Sequence, residues 1–264
     1  MSEQDASWGR YREEIRPSAD PIPRGVTALV HDRSAMAATL LDRELYDEQF
    51  AAQVLGVPVS TLHWWLEGGV RKGRTYEPVL RSAPTGSKSV TWGEFVEARY
   101  LREYRRTLGV QLSSLRGFIG SLREELGVPY PLAHARPWVG PGQHLFVAAQ
   151  EQADLPVDLW VCVEPQTGVT LLTHPAESFL DRVEFDDEEN GVVIRLHPAG
   201  RESPVVIDPE VRFGSPTVNG IPTESLAEMV RAGDLVEAVA ADFDLPLDVV
   251  IAALGYENLQ LQAA

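Results

Sequence analysis

The segment Tyr46 to Gly69, YDEQFAAQVLGVPVSTLHWWLEGG, restricts the fold more than any other stretch. Phe50, Ala51, Val54 and Leu55 fall at helical spacing, and Gly56 stops that helix because a residue without Cβ enters the left-handed conformation freely. Ser60 is placed to cap a second helix over about Thr61 to Glu67, which the Gly68-Gly69 pair ends. A helix, a short turn containing glycine and a second helix make a helix-turn-helix pattern.

The pattern recurs. Trp92 to Thr107 reads as a helix stopped by Gly109, and Ser113 or Ser114 is placed to cap another that reaches about Leu126. The turns VPVST and VQLSS both follow Gly56 or Gly109 with the same chemistry, so a second copy of one module is the economical reading. Between the pairs, Val70 to Ser89 reads as a basic wing carrying Arg71, Lys72, Arg74, Arg81 and Lys88. From Ala35 to Tyr46 a further helix is expected, and residues 1 to about 25 form a polar arm without periodicity.

Beyond the proline-rich connector PYPLAHARPWVGPGQ the period changes to two. LWVCV and VTLLT, joined by EPQTG, and VVIRL after Asn190-Gly191 read as strands of a small antiparallel sheet, with the acidic run 185–190 as a solvated hairpin tip. Three helices close the chain, at about Ser225 to Arg231, Leu235 to Phe243 and Pro246 to Leu254. The expected fold class is mainly α with a small antiparallel β-sheet, an α+β chain. Its expected divisions are an arm over 1–30, a first winged helix-turn-helix module over 31–90, a second over 91–150, an antiparallel region over 151–208 and a three-helix domain over 209–264.

Charge separates the two halves. Residues 1–137 hold 18 Lys and Arg against 17 Asp and Glu, whereas residues 138–264 hold 5 against 22. Between Ser60 and Arg116 there are ten basic and five acidic side chains, which leaves a local positive surface at the helix-turn-helix signals. The single cysteine, Cys162, permits no intramolecular disulfide, and neither a membrane span nor a signal-peptide core is evident, so a cytoplasmic protein is expected.

Enzyme templates fail on the residues. TGSKS at 85–89 lacks the upstream glycine and the Gly-Lys-Ser/Thr order of a phosphate loop, the six histidines have no metal-ligand spacing, and no G-x-S-x-G elbow occurs. No cofactor or metal is expected, and no catalytic residue is assigned. DNA binding needs a capped recognition helix, polar side chains on its outward face and basic flanks for phosphates. Ser60, Thr61 and His63 are expected nearest the groove and Arg71, Lys72 and Arg74 on the backbone, with Leu62, Leu66 and one or both of Trp64 and Trp65 in the core. Arg99, Arg102, Arg105, Arg106 and Arg116 are candidates for further phosphate contacts, although such a row equally suits a solvated helix face.

Two resemblances extend this reading. The C-terminal stretch carries Ile207-Asp208-Pro209, Gly214-Ser215-Pro216, Asn219-Gly220, Ile221-Pro222, Gly233-Asp234 with Glu237, and Pro246 to Tyr256. That order resembles a small three-helix family, first catalogued as a domain of unknown function and widely described as VapB-type antitoxin; the family's usual Thr-Arg after the loop glycine is absent here. Leu55-Gly56-Val57-Pro58-Val59-Ser60-Thr61-Leu62-His63-Trp64-Trp65 resembles a MerR-type helix-turn-helix. Together they imply an antitoxin that neutralises a PIN-domain ribonuclease toxin of the VapC type and represses its own operon as a homodimer on operator DNA. The alternatives are a stand-alone MerR-like regulator and a purely structural adaptor that uses its helical hairpins for protein contacts. The acidic residues Asp234, Glu237, Asp242, Asp244 and Asp248 repel phosphate, so with Arg231 they are expected to face a protein with a basic rim.

Overall fold

Asp47 caps the helix Glu48–Leu55, its side chain accepting the Phe50 amide at 2.7 Å. This computed structural model describes residues 40–108, 110–135, 137–138, 146, 149–150, 152–153, 162–163, 171–172, 174–186 and 191–263. The arm, the first five residues of the helix expected over 35–46, the EPQTG turn and the tip of the acidic run lie outside the described residues.

Strand β1 (Glu44–Asp47) stands where that expected helix was to end. It pairs antiparallel with β4 (Ser89–Thr91), Tyr46 opposite Val90, and buries Tyr46. Helix α1 (Glu48–Leu55) ends at Gly56, whose φ of 64° is the left-handed cap, and α2 (Val59–Glu67) ends at Gly68. The start of α2 differs from expectation: Pro58, with φ at −59°, precedes it and no side chain caps it, so Ser60 lies inside the first turn. The hairpin β2 (Gly69–Arg71) and β3 (Arg74–Tyr76) follows.

Helix α3 (Trp92–Glu103) opens with a capping box of Thr91 and Glu94 and passes into a π-helical turn over Tyr104–Leu108, where a continuous α-helix was expected. Helix α4 (Leu112–Leu126) begins after Gln111 without a side-chain cap, so neither Ser113 nor Ser114 is its cap. A short pair, β5 (Cys162–Val163) with β6 (Leu171–Leu172), precedes α5 (His174–Leu180). Strands β7 (Val183–Phe185), β8 (Val193–Leu196), β9 (Val206–Ile207), β10 (Pro216–Val218) and β11 (Ile221–Pro222) form one antiparallel sheet in sequential order. Helices α6 (Thr223–Ala232), α7 (Val236–Asp242) and α8 (Leu247–Ala263) complete the chain. The fold is α+β.

One apolar core runs from Leu41 to Ile207 and takes side chains from 31–90, 91–150 and 151–208 alike. Its centre is aromatic. Trp92 is fully buried and its Nε1 donates to the Val193 carbonyl at 2.7 Å, and Phe179 meets Tyr100 edge-on at 5.2 Å. A smaller core joins Val205, Val218, Leu226, Val239, Val250 and Tyr256. Between them Tyr46 Oη donates to the Gly214 carbonyl at 2.8 Å, and a Cβ at Gly214 would stand 2.2 Å from that oxygen. Tyr46→Phe should therefore lower the stability of the folded chain by about 1–2 kcal/mol, since it leaves a buried carbonyl unpaired; urea unfolding measures it. Among the described residues no helix is long and apolar enough to cross a membrane.

Candidate nucleic-acid interface

Helices α1 and α2 meet through Gly56-Val57-Pro58, where the Val57 amide returns to the Ala52 carbonyl at 3.0 Å and fixes the angle between them. Leu62, Trp65 and Leu66 of α2 are buried; Ser60 is exposed, and Thr61, His63 and Trp64 are half-buried. Of the two tryptophans, Trp65 enters the core, while Trp64 lies against Tyr76 of the hairpin with ring centroids 5.7 Å apart. Gly69 accommodates that ring, because a Cβ there would come within 3.2 Å of it.

The hairpin tip is Lys72-Gly73, with φ of 51° and 73°, the paired positive angles of a tight two-residue turn. Its register sets Arg71 directly opposite Arg74, with Lys72 at the tip, and all three are exposed. Like charges directly opposite on a ladder repel, so the hairpin presents a concentrated positive charge.

Beside it opens a cleft of about 620 Å³ lined by Gly56, Val57, Ser60, Thr61, Trp64, Trp65, Arg71, Arg102, Arg105, Arg106 and Leu112. Six of the nine residues expected to contact DNA thus share one concavity: two polar residues of α2, one arginine of the hairpin and three arginines from the end of α3 and the π turn. Arg105 and Arg106 are exposed, and Arg105 Nη1 donates to the Val110 carbonyl. Arg102 is half-buried, and its Nε is shielded from water without a hydrogen-bond partner. Burial, followed by neighbouring Arg106, presses its guanidinium below the usual arginine range, with Arg182 adding to the effect and Glu103 and Tyr256 opposing it.

Lys72 and Arg74 stay on the hairpin outside the cleft lining. His63 turns to Glu48, Nδ1 to Oε1 at 2.9 Å, with Lys88 Nζ 3.2 Å from the other carboxylate oxygen. Two candidates for phosphate contact are instead structural. Arg99 is buried and donates to the Pro198 carbonyl at 2.9 Å, with burial lowering its pKa to about 10, and Arg116 donates to the Pro78 carbonyl at 3.0 Å. Arg81, assigned to the basic wing, is buried between Glu67 and Glu94. The TGSKS loop does cradle an anion, though an internal one: the amides of Thr85 and Gly86 each donate to Glu67 Oε2 at 2.9 Å. Val57, Trp64 and Leu112, which shape the cleft, had no polar signal to mark them. Among the described residues no group of three or more His, Cys, Asp or Glu could hold a metal ion.

On the C-terminal helices, Arg231, Asp234, Glu237, Asp242 and Asp248 are all exposed. Apolar side chains stand among them: Leu235 is 72% exposed, Ile251 55% and Leu247 42%, against the usual burial of such residues.

Comparisons with known proteins follow this division. Residues 205–256, which hold β9 to β11 and the whole of the smaller core, match the family described as Protein of unknown function (DUF433). The solved structure of Rv2018 from Mycobacterium tuberculosis superposes with a TM-score of 0.64 at 26% identity, covering 81% of this chain and 99% of that one. The uncharacterized protein Rv2308 of Mycobacterium tuberculosis is 34% identical over 228 residues, 85% of this chain and 94% of the relative. The chain belongs to the family of that mycobacterial protein.

Proposed function

We propose that the protein is a DNA-binding regulator that reads its operator through α1 and α2, and that its C-terminal helices hold a PIN-domain ribonuclease of the VapC type, making it the antitoxin of a toxin-antitoxin pair. The observation that carries the DNA limb is the cleft in which Ser60 and Thr61 of the second helix meet Arg71, Arg105 and Arg106 beside the cationic hairpin. Base-edge contacts come from the polar residues of α2 and phosphate contacts from the exposed arginines, Lys72 and Arg74. The toxin limb is supported by the resemblance of the C-terminal motifs to VapB-type antitoxins. It is also supported by exposed Leu235, Leu247 and Ile251 among acidic side chains, an apolar centre with a charged rim of the kind protein interfaces use. Residues 205–264 hold ten acidic side chains and two arginines, so a partner with basic residues around an RNA site is the complementary one.

The test of the DNA limb is a fluorescence-anisotropy titration of the upstream duplex over a series of salt concentrations. Arg71→Ala/Arg106→Ala should weaken binding and reduce the slope of log K against log salt by about 2, one phosphate contact for each arginine removed. Both side chains are exposed, so the variant should fold as the parent does. An unchanged slope would exclude the cleft as the interface. Co-expression with the adjacent reading frame tests the other limb: a co-purifying nuclease whose toxicity is suppressed supports it, and DNA binding without such a partner leaves a stand-alone regulator.

A further inference from the structure

The 620 Å³ cleft has an exposed rim and a more buried interior. Arg71, Arg105 and Arg106 are exposed, whereas Arg102 is half-buried and Trp65 is only 3% exposed. Arg102 brings a half-buried guanidinium to the lining, its Nε without a hydrogen-bond partner among the described residues, and an anion beside that cation offsets the cost of burying it. Around that cation the lining is largely apolar, with Val57, Trp64, Trp65 and Leu112 beside the hydroxyls of Ser60 and Thr61. A volume in the range of about 300–1,000 Å³, apolar walls and a few convergent polar groups describe a small-molecule site.

We propose that this cleft binds a small aromatic phosphate, a mononucleotide or a molecule of that shape, with the phosphate on Arg102 and Arg106 and the ring against Trp64. Arginine meets a phosphate through a fixed fork of donors, and an indole face accepts a flat base by stacking. Trp64 is pre-set for this, since Tyr76 and the missing side chain of Gly69 hold its ring. Such a ligand would occupy the space beside Ser60 and Thr61 and expel the duplex, so nucleotide supply would release the operator. That competition rests on the DNA-binding reading; the nucleotide site itself does not.

The probe is adenosine 5′-monophosphate, titrated calorimetrically into the full chain without DNA, with adenosine and inorganic phosphate as separate titrants. The nucleotide should bind with a dissociation constant below about 1 mM, and the two fragments should bind at least about tenfold more weakly. Arg102→Met should weaken the nucleotide by about tenfold or more. Ser60→Glu should do likewise by setting a negative charge on the cleft wall, and its exposed position in the first turn of α2 keeps the fold. No binding of the nucleotide, equal binding of inorganic phosphate, or full binding by both variants would each overturn the site. If the nucleotide binds while the duplex does not, the site stands and the DNA reading falls; the reverse result removes the site alone.

Discussion

Replacing Arg81 with methionine is expected to cost about 3–5 kcal/mol of stability, because it breaks a buried ion triad and strands both carboxylates. The side chains of Arg81, Glu67 and Glu94 are only 7%, 9% and 6% exposed. Arg81 Nε donates to Glu94 Oε1 at 2.6 Å, Nη1 to Glu67 and to Thr85 Oγ1, and Nη2 to the Ser89 carbonyl at 2.7 Å. Each carboxylate also serves the backbone: Glu67 holds the loop amides, and Glu94 closes the capping box of α3 through the Thr91 amide. One guanidinium therefore joins the end of α2, the 85–89 loop and the start of α3. Burial alone would raise the Glu67 carboxyl, but the Gly86 amide, Thr85 and Arg81 outweigh it and hold it below the usual carboxylate range. The stability this carboxylate contributes is present above its unfolded pKa and is lost as the pH falls through the depressed folded value. Denaturant midpoints of Arg81→Met and Arg81→Lys measure the effect. Lysine should recover only part of the loss, since one ammonium cannot reproduce the fork.

Glu97 should give a pH dependence of the opposite sign. It is fully buried on α3, accepts the Leu132 amide at 3.1 Å, and leaves Oε2 without a hydrogen bond, 3.7 Å from an Arg123 nitrogen. Burial pushes its carboxyl up to about 8, more than Arg123 and the Leu132 amide pull it down. With the folded value above the unfolded one, the protonated form favours folding. Its contribution is complete below the unfolded carboxylate range and is lost as the pH rises through about 8. Glu97→Gln keeps an acceptor for Leu132 and cannot ionise. It should flatten the stability profile between the ordinary carboxylate range and pH 8, and make the variant more stable than the parent above pH 8, by on the order of 2 kcal/mol. Arg123 remains anchored through the carbonyls of Pro129 and Leu80, so the loss of its countercharge is cushioned. Unfolding curves at a series of pH values decide it, and equal slopes for the two proteins would rule the mechanism out.

How legible each part was in the sequence depended on how local its cause is. Gly56 and Gly68 end their helices as read, because a left-handed φ is a property of one residue. VVIRL does hold a strand, Val193–Leu196, although its burial does not alternate: Val193 and Leu196, three residues apart, face opposite sides and are both buried. Helix starts were less legible: Pro58 starts α2 through a fixed φ without using the side chain of Ser60. Strand β1 was hidden because four residues carry too little alternation to compete with a helical pattern, and its partner β4 is some forty residues away in the chain. Among the arginines the limit is physical. A row of charges does not encode which side chain the fold buries, so Arg81, Arg99 and Arg116 read the same as Arg102 and Arg106 until the carbonyls of Pro198 and Pro78 are in place. The cleft itself was half visible: its cations could be named, but its apolar walls, Val57 and Leu112, acquire meaning only when two helix pairs face each other.

The five-stranded sheet has a consequence for anyone cutting this chain. Strands β7 and β8 precede residue 205, while β9, β10 and β11 lie within the matched 205–256 segment, and Leu196 pairs with Ile207 across that line. A truncation at this boundary divides a hydrogen-bonded sheet and strips β8 of a neighbour. The N-terminal fragment would carry an open strand edge beside buried Val193 and Leu196, a template for intermolecular pairing. The C-terminal fragment would lose Arg195, which holds Asp208 at 2.7 Å. Fragments should therefore be drawn elsewhere, or the proposed functions should be measured on the intact chain.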